Sequence, residues 1–241
     1  MINAAVVGLG WWGKQVVNVI KGKSDRIEIV CGVEVNPDSV ADYVAEKKLP
    51  LYTDYQQALD DPKVEAVILT TPHSTHEDLV LRAAAAGKQI FCEKPLSLTA
   101  ASAKVMVKAC ADAGIVLGLG HERRYEGAFE ELARMVAAGE LGTDKFAALD
   151  GANWRGNPKD APAAGWTGMG VHLTDYLISI LGPIAEIRAV SAQRVLDLPS
   201  GDVVSTQFRF NDGTLGTINV VSATPFYARL SMFGEKAWVD I

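Results

Sequence analysis

The sequence predicts an α/β protein with an N-terminal doubly wound parallel sheet, followed by an α+β domain whose open sheet is largely antiparallel. Three observations carry this expectation. Up to residue 120, short apolar runs rich in β-branched residues alternate with longer segments of helical period, the pattern of successive βαβ units. Two of those runs, AVILT (66–70) and IVLGL (115–119), are apolar on both faces, as strands covered by helices on each side must be. From Ile184 onward, strand-like runs follow one another with no helix between them, separated by PSGD, NDG and ATP turn signals.

Taken in order, Ala4 to Gly8 reads as the first strand and Trp11 to Lys21 as the first helix. Ile27 to Glu34 (strand), Asp38 to Lys48 (helix), Val64 to Thr70 (strand) and Glu77 to Ala86 (helix) follow. Gln89 to Cys92 is a strand, Thr99 to Ala113 a helix and Ile115 to Leu119 a strand, which completes a domain over 1–120. A second domain over 121–241 opens with an amphipathic helix at Phe129 to Ala138 and a strand at Phe146 to Asn153. A Gly/Pro/Ala-rich loop from Gly156 to Gly165 leads into a helix at Gly170 to Leu181. The runs AEIRAVSAQRVL, VVSTQFRF, TLGTINVVS and ARLSMFG then form the sheet, with NDG between FRF and TLGTINV as a hairpin signal, because Asp-Gly supplies the positive φ angles of a tight turn.

Composition bounds the function. Of 241 residues, 49% are hydrophobic and 22% charged, the usage of a globular protein rather than a disordered or collagen-like one. The 29 acidic and 23 basic residues give a net charge of −6, with no dense basic stripe, so nucleic acid is not an expected partner. The glycine-broken start MINAAVVGLGWWG has no basic n-region, and Val171 to Ile187 carries His172, Asp175 and Glu186, so neither a signal peptide nor a membrane span is expected. Cys31, Cys92 and Cys110 match neither a disulfide framework nor a metal site; they read as small apolar fillers in a reducing cytosol. His73, His76 and His121 lie on separate loops with no accompanying Cys/Asp cluster, so no metal is expected.

The chemistry begins at GLGWWG, where Gly8, Gly10 and Gly13 form GxGxxG between the first strand and the first helix. The first glycine permits a tight turn, the second lets backbone approach a pyrophosphate, and the third lets helix pack on strand. The amides of Trp11 and Trp12 then point at phosphate with the helix dipole behind them. Glu34 ends the second strand, where a carboxylate accepts hydrogen bonds from both ribose hydroxyls and repels a 2'-phosphate, so NAD is expected rather than NADP. A Rossmann-type dinucleotide site is expected; a glycine turn with an ordinary solvated glutamate is the structural alternative.

Over nearly its whole length the chain resembles the Gfo/Idh/MocA oxidoreductases, which include glucose-fructose oxidoreductase and inositol dehydrogenase. The matching pieces are GLGWWG, VEVNP (33–37), TTPHSTH (70–76), AGKQIFCEKPLSLT (86–99), GHERRYEGAFEELARMVAAGELG (120–142) and GMGVHLTDYLISILG (168–182). The resemblance implies that Thr71, Pro72, His73 and His76 border the dinucleotide. It also implies that Lys94, the lysine of EKP, lies close to the nicotinamide and takes part in proton transfer, with Glu93 holding that lysine or a ribose hydroxyl. The positive charge of an oxidised nicotinamide would favour the neutral amine that a base requires. In the family the peptide between Lys94 and Pro95 is often cis.

His172 matches the histidine that the family places near the substrate carbinol, where it accepts the hydroxyl proton or hydrogen-bonds the oxygen while Lys94 accepts it. A capping or core histidine is the structural alternative. Asp175, three positions on, is expected to orient the ring or touch substrate. Many polyol dehydrogenases of the family carry an aspartate four residues before this histidine, where this chain has Gly168. Arg124 and the stretch Asn153, Trp154 and Arg155 are expected to border the cleft: guanidinium groups suit hydroxyl-rich or carboxylate substrates and tryptophan stacks on a sugar ring. Each of these also suits a structural role.

The expected activity is hydride transfer between a carbinol carbon of a sugar, polyol or cyclic diol and the nicotinamide of NAD. The alternative from another class is a sensor that binds the dinucleotide without turnover, which Gly168 favours and the retention of Lys94 and His172 opposes. Family members usually continue past GEKAWVDI, so a short form or a fragment is expected. A sheet that its own chain leaves partly uncovered suggests a homodimer or homotetramer built through residues beyond about Ile184.

Overall fold

The computed structural model describes residues 1–141, 145–151, 166–194, 196, 201–222 and 227–241, the stretch 145–151 as backbone. The chain divides into two compact units, Met1–Gly120 and His121–Ile241.

In the first unit the elements are β1 (Ile2–Val7), α1 (Trp11–Ile20), β2 (Ile27–Val33), α2 (Ala41–Lys47), β3 (Leu51–Tyr52), α3 (Tyr55–Asp60), β4 (Ala66–Leu69), α4 (His76–Ala85), β5 (Gln89–Glu93), α5 (Ala100–Asp112) and β6 (Leu117–Gly120). The six strands are parallel in the order β3-β2-β1-β4-β5-β6. Alternation along β1 divides the core. Ala4 and Val6 face Val17 of α1 and Val40, whereas Ala5 and Val7 face Ala58 and Leu59 of α3, Val80 of α4 and Met106 and Cys110 of α5. Both faces are thus covered, each fully buried aliphatic side chain contributing on the order of 1.5–3 kcal/mol. Strand order reverses at β1, and the carboxyl ends of β1, β2, β4 and β5 converge where a doubly wound sheet binds its ligand.

Two elements of this unit escape sequence periodicity. β3 is only two residues long, and α3 has one turn and a half. Asp54 caps α3 by accepting from the Gln56 amide, while the Gln57 side chain accepts from the amides of Thr53 and Asp54, a reciprocal capping box.

The second unit contains α6 (Gly127–Ala137), β7 (Lys145–Gly151), α7 (Val171–Leu181), β8 (Ile184–Ala192), β9 (Val203–Phe210), β10 (Leu215–Val221), β11 (Ala228–Gly234) and β12 (Trp238–Asp240). A π-helical turn, Trp166–Gly170, leads into α7. The sheet order is β12-β11-β7-β10-β9-β8, antiparallel except that β7 and β10 run parallel. Phe208, Phe210, Ile218, Val220, Leu230 and Met232 face Phe129 and Leu132 of α6 and Leu173, Tyr176 and Leu177 of α7. The NDG hairpin pairs β9 with β10, but only Gly213 has positive φ, at 91°. Asp212 instead accepts from the Thr214 amide at 2.9 Å, so the turn needs one left-handed residue and not two.

Candidate active site

The glycine loop follows β1. Gly8 has φ +89°, and a Cβ there would lie 2.9 Å from the Thr71 methyl; a Cβ on Gly13 would sit 2.0 Å from the Gly8 carbonyl oxygen. Both positions therefore require glycine. A Cβ on Gly10 would meet nothing within 4 Å, which leaves space against the loop backbone for a ligand. Gly10 is the N-cap of α1 and offers no side chain to the first-turn amides, so these donors, at the positive end of a ten-residue helix, are available to an anion. This arrangement fits a dinucleotide pyrophosphate.

Glu34 follows β2. Its Oε2 accepts from the Leu9 amide at 2.9 Å and its Oε1 from the Asn36 amide at 3.1 Å, so the carboxylate is fixed beside the glycine loop and retains lone pairs for ribose hydroxyls. Thr70, which sequence reasoning did not single out, locks the loop from β4: its Oγ1 lies 2.6 Å from the Gly8 carbonyl oxygen and 2.9 Å from that of Val7. The sequence shows Thr70 as the end of an apolar run and the start of TTPHSTH, but not as the lock on the glycine loop, since its partners lie more than 60 positions away. Trp11 is exposed and its ring stands 5.6 Å from that of Trp12, both at the mouth of this loop.

Lys94 follows β5 and is half-buried; the Lys94–Pro95 peptide is cis. Glu93 is buried and its carboxylate packs against Gly120 of β6, where a Cβ would meet Oε1 at 2.7 Å. His76, fully buried at the start of α4, ties this turn to the one after β4, with Nδ1 2.9 Å from the Pro95 carbonyl oxygen and Nε2 3.1 Å from that of Thr71. His73 is also buried, its ring 5.6 Å from that of His76 in an edge-on arrangement, and Thr75 Oγ1 lies 2.8 Å from the Thr71 hydroxyl and 2.7 Å from the Pro72 carbonyl oxygen. Gly8, Gly10, Trp11, Trp12, Gly13, Glu34, Thr71, Pro72, His73, His76, Glu93 and Lys94 thus all lie on the strand ends, the loops or the first helical turns that follow the strands of one sheet.

In the second unit, His172 lies in the first turn of α7 and is buried. Its Nε2 is 3.8 Å from Glu122 Oε1, on the short 3-10 turn Glu122–Tyr125, and its ring is 5.7 Å from that of His121, nearly perpendicular to it. Arg124, expected at the cleft, forms a two-point pair with Asp175, Nε to Oδ2 at 3.0 Å and Nη2 to Oδ1 at 2.5 Å. This hydrogen-bonded pairing raises the arginine's pKa above its ordinary value and keeps it charged. Asp175 is also 3.9 Å from His121 Nε2. Its carboxylate is therefore shared by Arg124 and His121, and the carboxylate beside His172 is Glu122. Asn153, Trp154 and Arg155 lie outside the described residues. Among the described residues no group of three or more His, Cys, Asp or Glu side chains is placed to hold a metal ion, and no helix is long and apolar enough to cross a membrane.

Residues 2–121 match the family described as oxidoreductase family, NAD-binding Rossmann fold, and residues 129–240 match the GFO/IDH/MocA C-terminal domain. The chain is 30% identical to scyllo-inositol 2-dehydrogenase (NAD(+)) of Bacillus subtilis (strain 168), covering 93% of this chain and 68% of that protein. It is also 30% identical to myo-inositol 2-dehydrogenase of Thermotoga maritima, there covering 77% of this chain and 58% of the relative's length. Among solved structures, an oxidoreductase of Desulfitobacterium hafniense DCB-2 assigned to NADPH superposes with a TM-score of 0.93 at 25% identity, over 99% of this chain and 72% of that one. With both halves of the family pattern present in order, on a sheet whose loops carry the dinucleotide fingerprint, the chain belongs to the Gfo/Idh/MocA oxidoreductases.

Proposed function

We propose that the protein is an NAD-dependent dehydrogenase that moves a hydride between a carbinol carbon of a cyclic polyol or sugar and the nicotinamide. The observation that carries this reading is the convergence of the uncapped glycine loop, Glu34 and the Glu93–Lys94 turn at the carboxyl edge of one parallel sheet. The inositol dehydrogenases named above support the substrate class. Bound NAD supplies an acceptor for hydride at nicotinamide C4. Gly8, Gly10 and Gly13 seat its pyrophosphate on the amides of Trp11 and Trp12, while Glu34 accepts from the ribose hydroxyls. Thr71, Pro72, His73 and His76 form the wall that fixes the Lys94 turn.

Lys94 Nζ takes the carbinol proton as the carbon–hydrogen bond gives up its electron pair, leaving a carbonyl. His172 is assigned a hydrogen bond to the substrate oxygen on family resemblance. Arg124 and Asp175, which pair with one another, and Asn153, Trp154 and Arg155 are assigned to the substrate side on family resemblance.

The three cysteines, all buried and free, suit a reducing cytosol. We assign the outer face of the second sheet, where Ser205, Gln207 and Arg209 alternate with the buried set on β9 and Val190, paired with Ser205, stands exposed on β8, to a homodimer or homotetramer contact. Such a contact buries at least roughly 1,200 Å², and light scattering at micromolar concentration that returns a 25.8 kDa particle would exclude it.

Turnover is tested by following reduced nicotinamide with a panel of inositols, sugars and cyclic diols. The expected result is NAD reduction with at least one cyclic polyol. Tight NAD binding with no turnover across the panel would replace the dehydrogenase by a dinucleotide sensor.

A further inference from the structure

The second unit holds two imidazoles edge to face, each within ion-pair distance of a different carboxylate: His172 with Glu122, and His121 with Asp175. These two carboxylates are not equivalent. Asp175 is engaged at both oxygens by the Arg124 guanidinium, so its charge is already compensated where His121 and His172 feel it. Among the described residues no Lys or Arg pairs with Glu122: the neighbouring Arg123 pairs with Glu126 at 3.1 Å. The Glu122 side chain is about half exposed, whereas His172 is 4% exposed. A carboxylate with one side in water and the other against a buried imidazole stabilises the charged ring, opposing the desolvation that burial imposes.

We propose that Glu122 is the positioning carboxylate of His172: it fixes the ring on the 3-10 turn side of α7 and holds it in the charged form that donates to a substrate oxygen. This rests on the reading of His172 as the residue at the substrate oxygen. Among the described residues the ring faces Glu122 and the ring of His121, and the 3-10 turn that carries Arg123, Arg124 and Tyr125 packs against α7, which bears Asp175. Arg124 and Asp175 neutralise one another, Arg123 pairs with Glu126, and Tyr125 is exposed. A proton on His121 opposes one on His172, and Glu122 is the group that tips the balance toward His172. The 3.8 Å separation is longer than a hydrogen bond, so the coupling is electrostatic and passes through a short rotation of Glu122 or one water.

The test uses the full chain and does not depend on a known substrate. The chain has four histidines, so their ring proton resonances can be titrated by NMR, His172 being identified by its loss in His172→Gln. Glu122→Gln is expected to lower the His172 pKa by about one unit, the lower end of what an opposite charge at this distance supplies, and Glu122→Asp to restore part of the shift. With a turned-over polyol in hand, the alkaline limb of the kcat/KM profile, where the charged ring loses its proton, moves down with the NMR value while the NAD dissociation constant stays unchanged. An unshifted His172 titration in a folded Glu122→Gln protein overturns the proposal. A shifted titration in a protein that turns over nothing upholds the coupling and overturns the dehydrogenase reading instead.

Discussion

The Leu9 amide donates to Glu34 Oε2 at 2.9 Å, joining the glycine loop after β1 to the end of β2 through one side chain. The carboxylate proposed to read the ribose therefore also fixes the loop proposed to seat the pyrophosphate, and a single substitution disturbs both. Glu34→Ala is expected to weaken NAD binding by roughly 10- to 100-fold, the loss of one or two hydrogen bonds to a charged acceptor, while leaving NADP binding unchanged or tighter. Fluorescence titration of Trp11 and Trp12 with each dinucleotide checks this. Tighter binding of NADP than NAD by the unaltered protein would remove the basis for NAD preference, and the resemblance to an oxidoreductase assigned to NADPH makes the comparison a sharp one.

Gly10 and Gly13 lie three positions apart and are expected to fail in different ways. A methyl group on Gly13 drives into the Gly8 carbonyl and lies 2.8 Å from Thr70 Oγ1, so Gly13→Ala should lower stability by about 1–3 kcal/mol as the loop shifts. A methyl on Gly10 meets no protein atom. Gly10→Ala is expected to unfold at the same urea concentration as the parent yet bind NAD at least about tenfold more weakly, because the space it fills belongs to the ligand. Equal loss of stability in both variants would show that the loop glycines serve the fold alone.

Lys94→Met is expected to cut turnover by about 10²- to 10⁴-fold with little change in NAD affinity, because the role proposed for the amine is at the substrate proton and not at the pyrophosphate. Single-turnover kinetics on an identified polyol, beside an NAD titration, separates the two. A near-parental rate would take the proton step away from Lys94.

How far such a site can be foreseen depends on which of its links are local. The glycine spacing, Glu34 after its strand and the Glu93–Lys94–Pro95 turn are short-range, and the six parallel strands follow from runs of apolar β-branched residues. β3 and α3 leave too little periodicity to detect, although Asp54 and Gln57 spell the capping box that starts α3. The parallel pairing of β7 with β10 is invisible because pairing partners across about 70 residues are chosen by the packing of α6 and α7 and not by alternation along either strand. Arg124 illustrates the same limit at the site: its type suits a substrate, and only the tertiary fold reveals the carboxylate 51 positions away that it meets.

That pairing makes its own prediction. Arg124 and Asp175 are partly buried, with side-chain exposures of 36% and 21%, and a two-point geometry of this kind should couple by about 1 kcal/mol in a double-mutant cycle of Arg124→Met and Asp175→Asn. Urea unfolding of the four proteins measures it. A coupling near zero together with a large rise in KM for Arg124→Met would return the arginine to substrate binding and leave the ion pair incidental.

The thiols supply a test of the first unit's core. Burial, with smaller help from the Glu93 charge, pushes the Cys92 thiol from 9.0 to about 12, and burial with help from Asp61 pushes Cys31 from 9.0 to about 11. Both residues pack between the sheet and its helices, and neither forms a disulfide. Iodoacetamide at mildly alkaline pH is therefore expected to leave them unmodified in the folded protein and to alkylate them in urea. The sign of the pH effect follows from the raised values. Below pH 9 both states hold their thiol protons and the contribution to stability is fully present. Between pH 9 and about 11 to 12 the unfolded chain loses protons that the folded chain keeps, so stability falls with rising pH, by up to about 1.4 kcal/mol per pH unit for each such thiol. Urea midpoints across that window should decline, and Cys92→Ala should flatten the decline while lowering stability at pH 7 through the small cavity it leaves. A midpoint that stays level through the window, or rapid alkylation of the native protein, would mean that β2 and β5 are not packed against α3 and α5 as described.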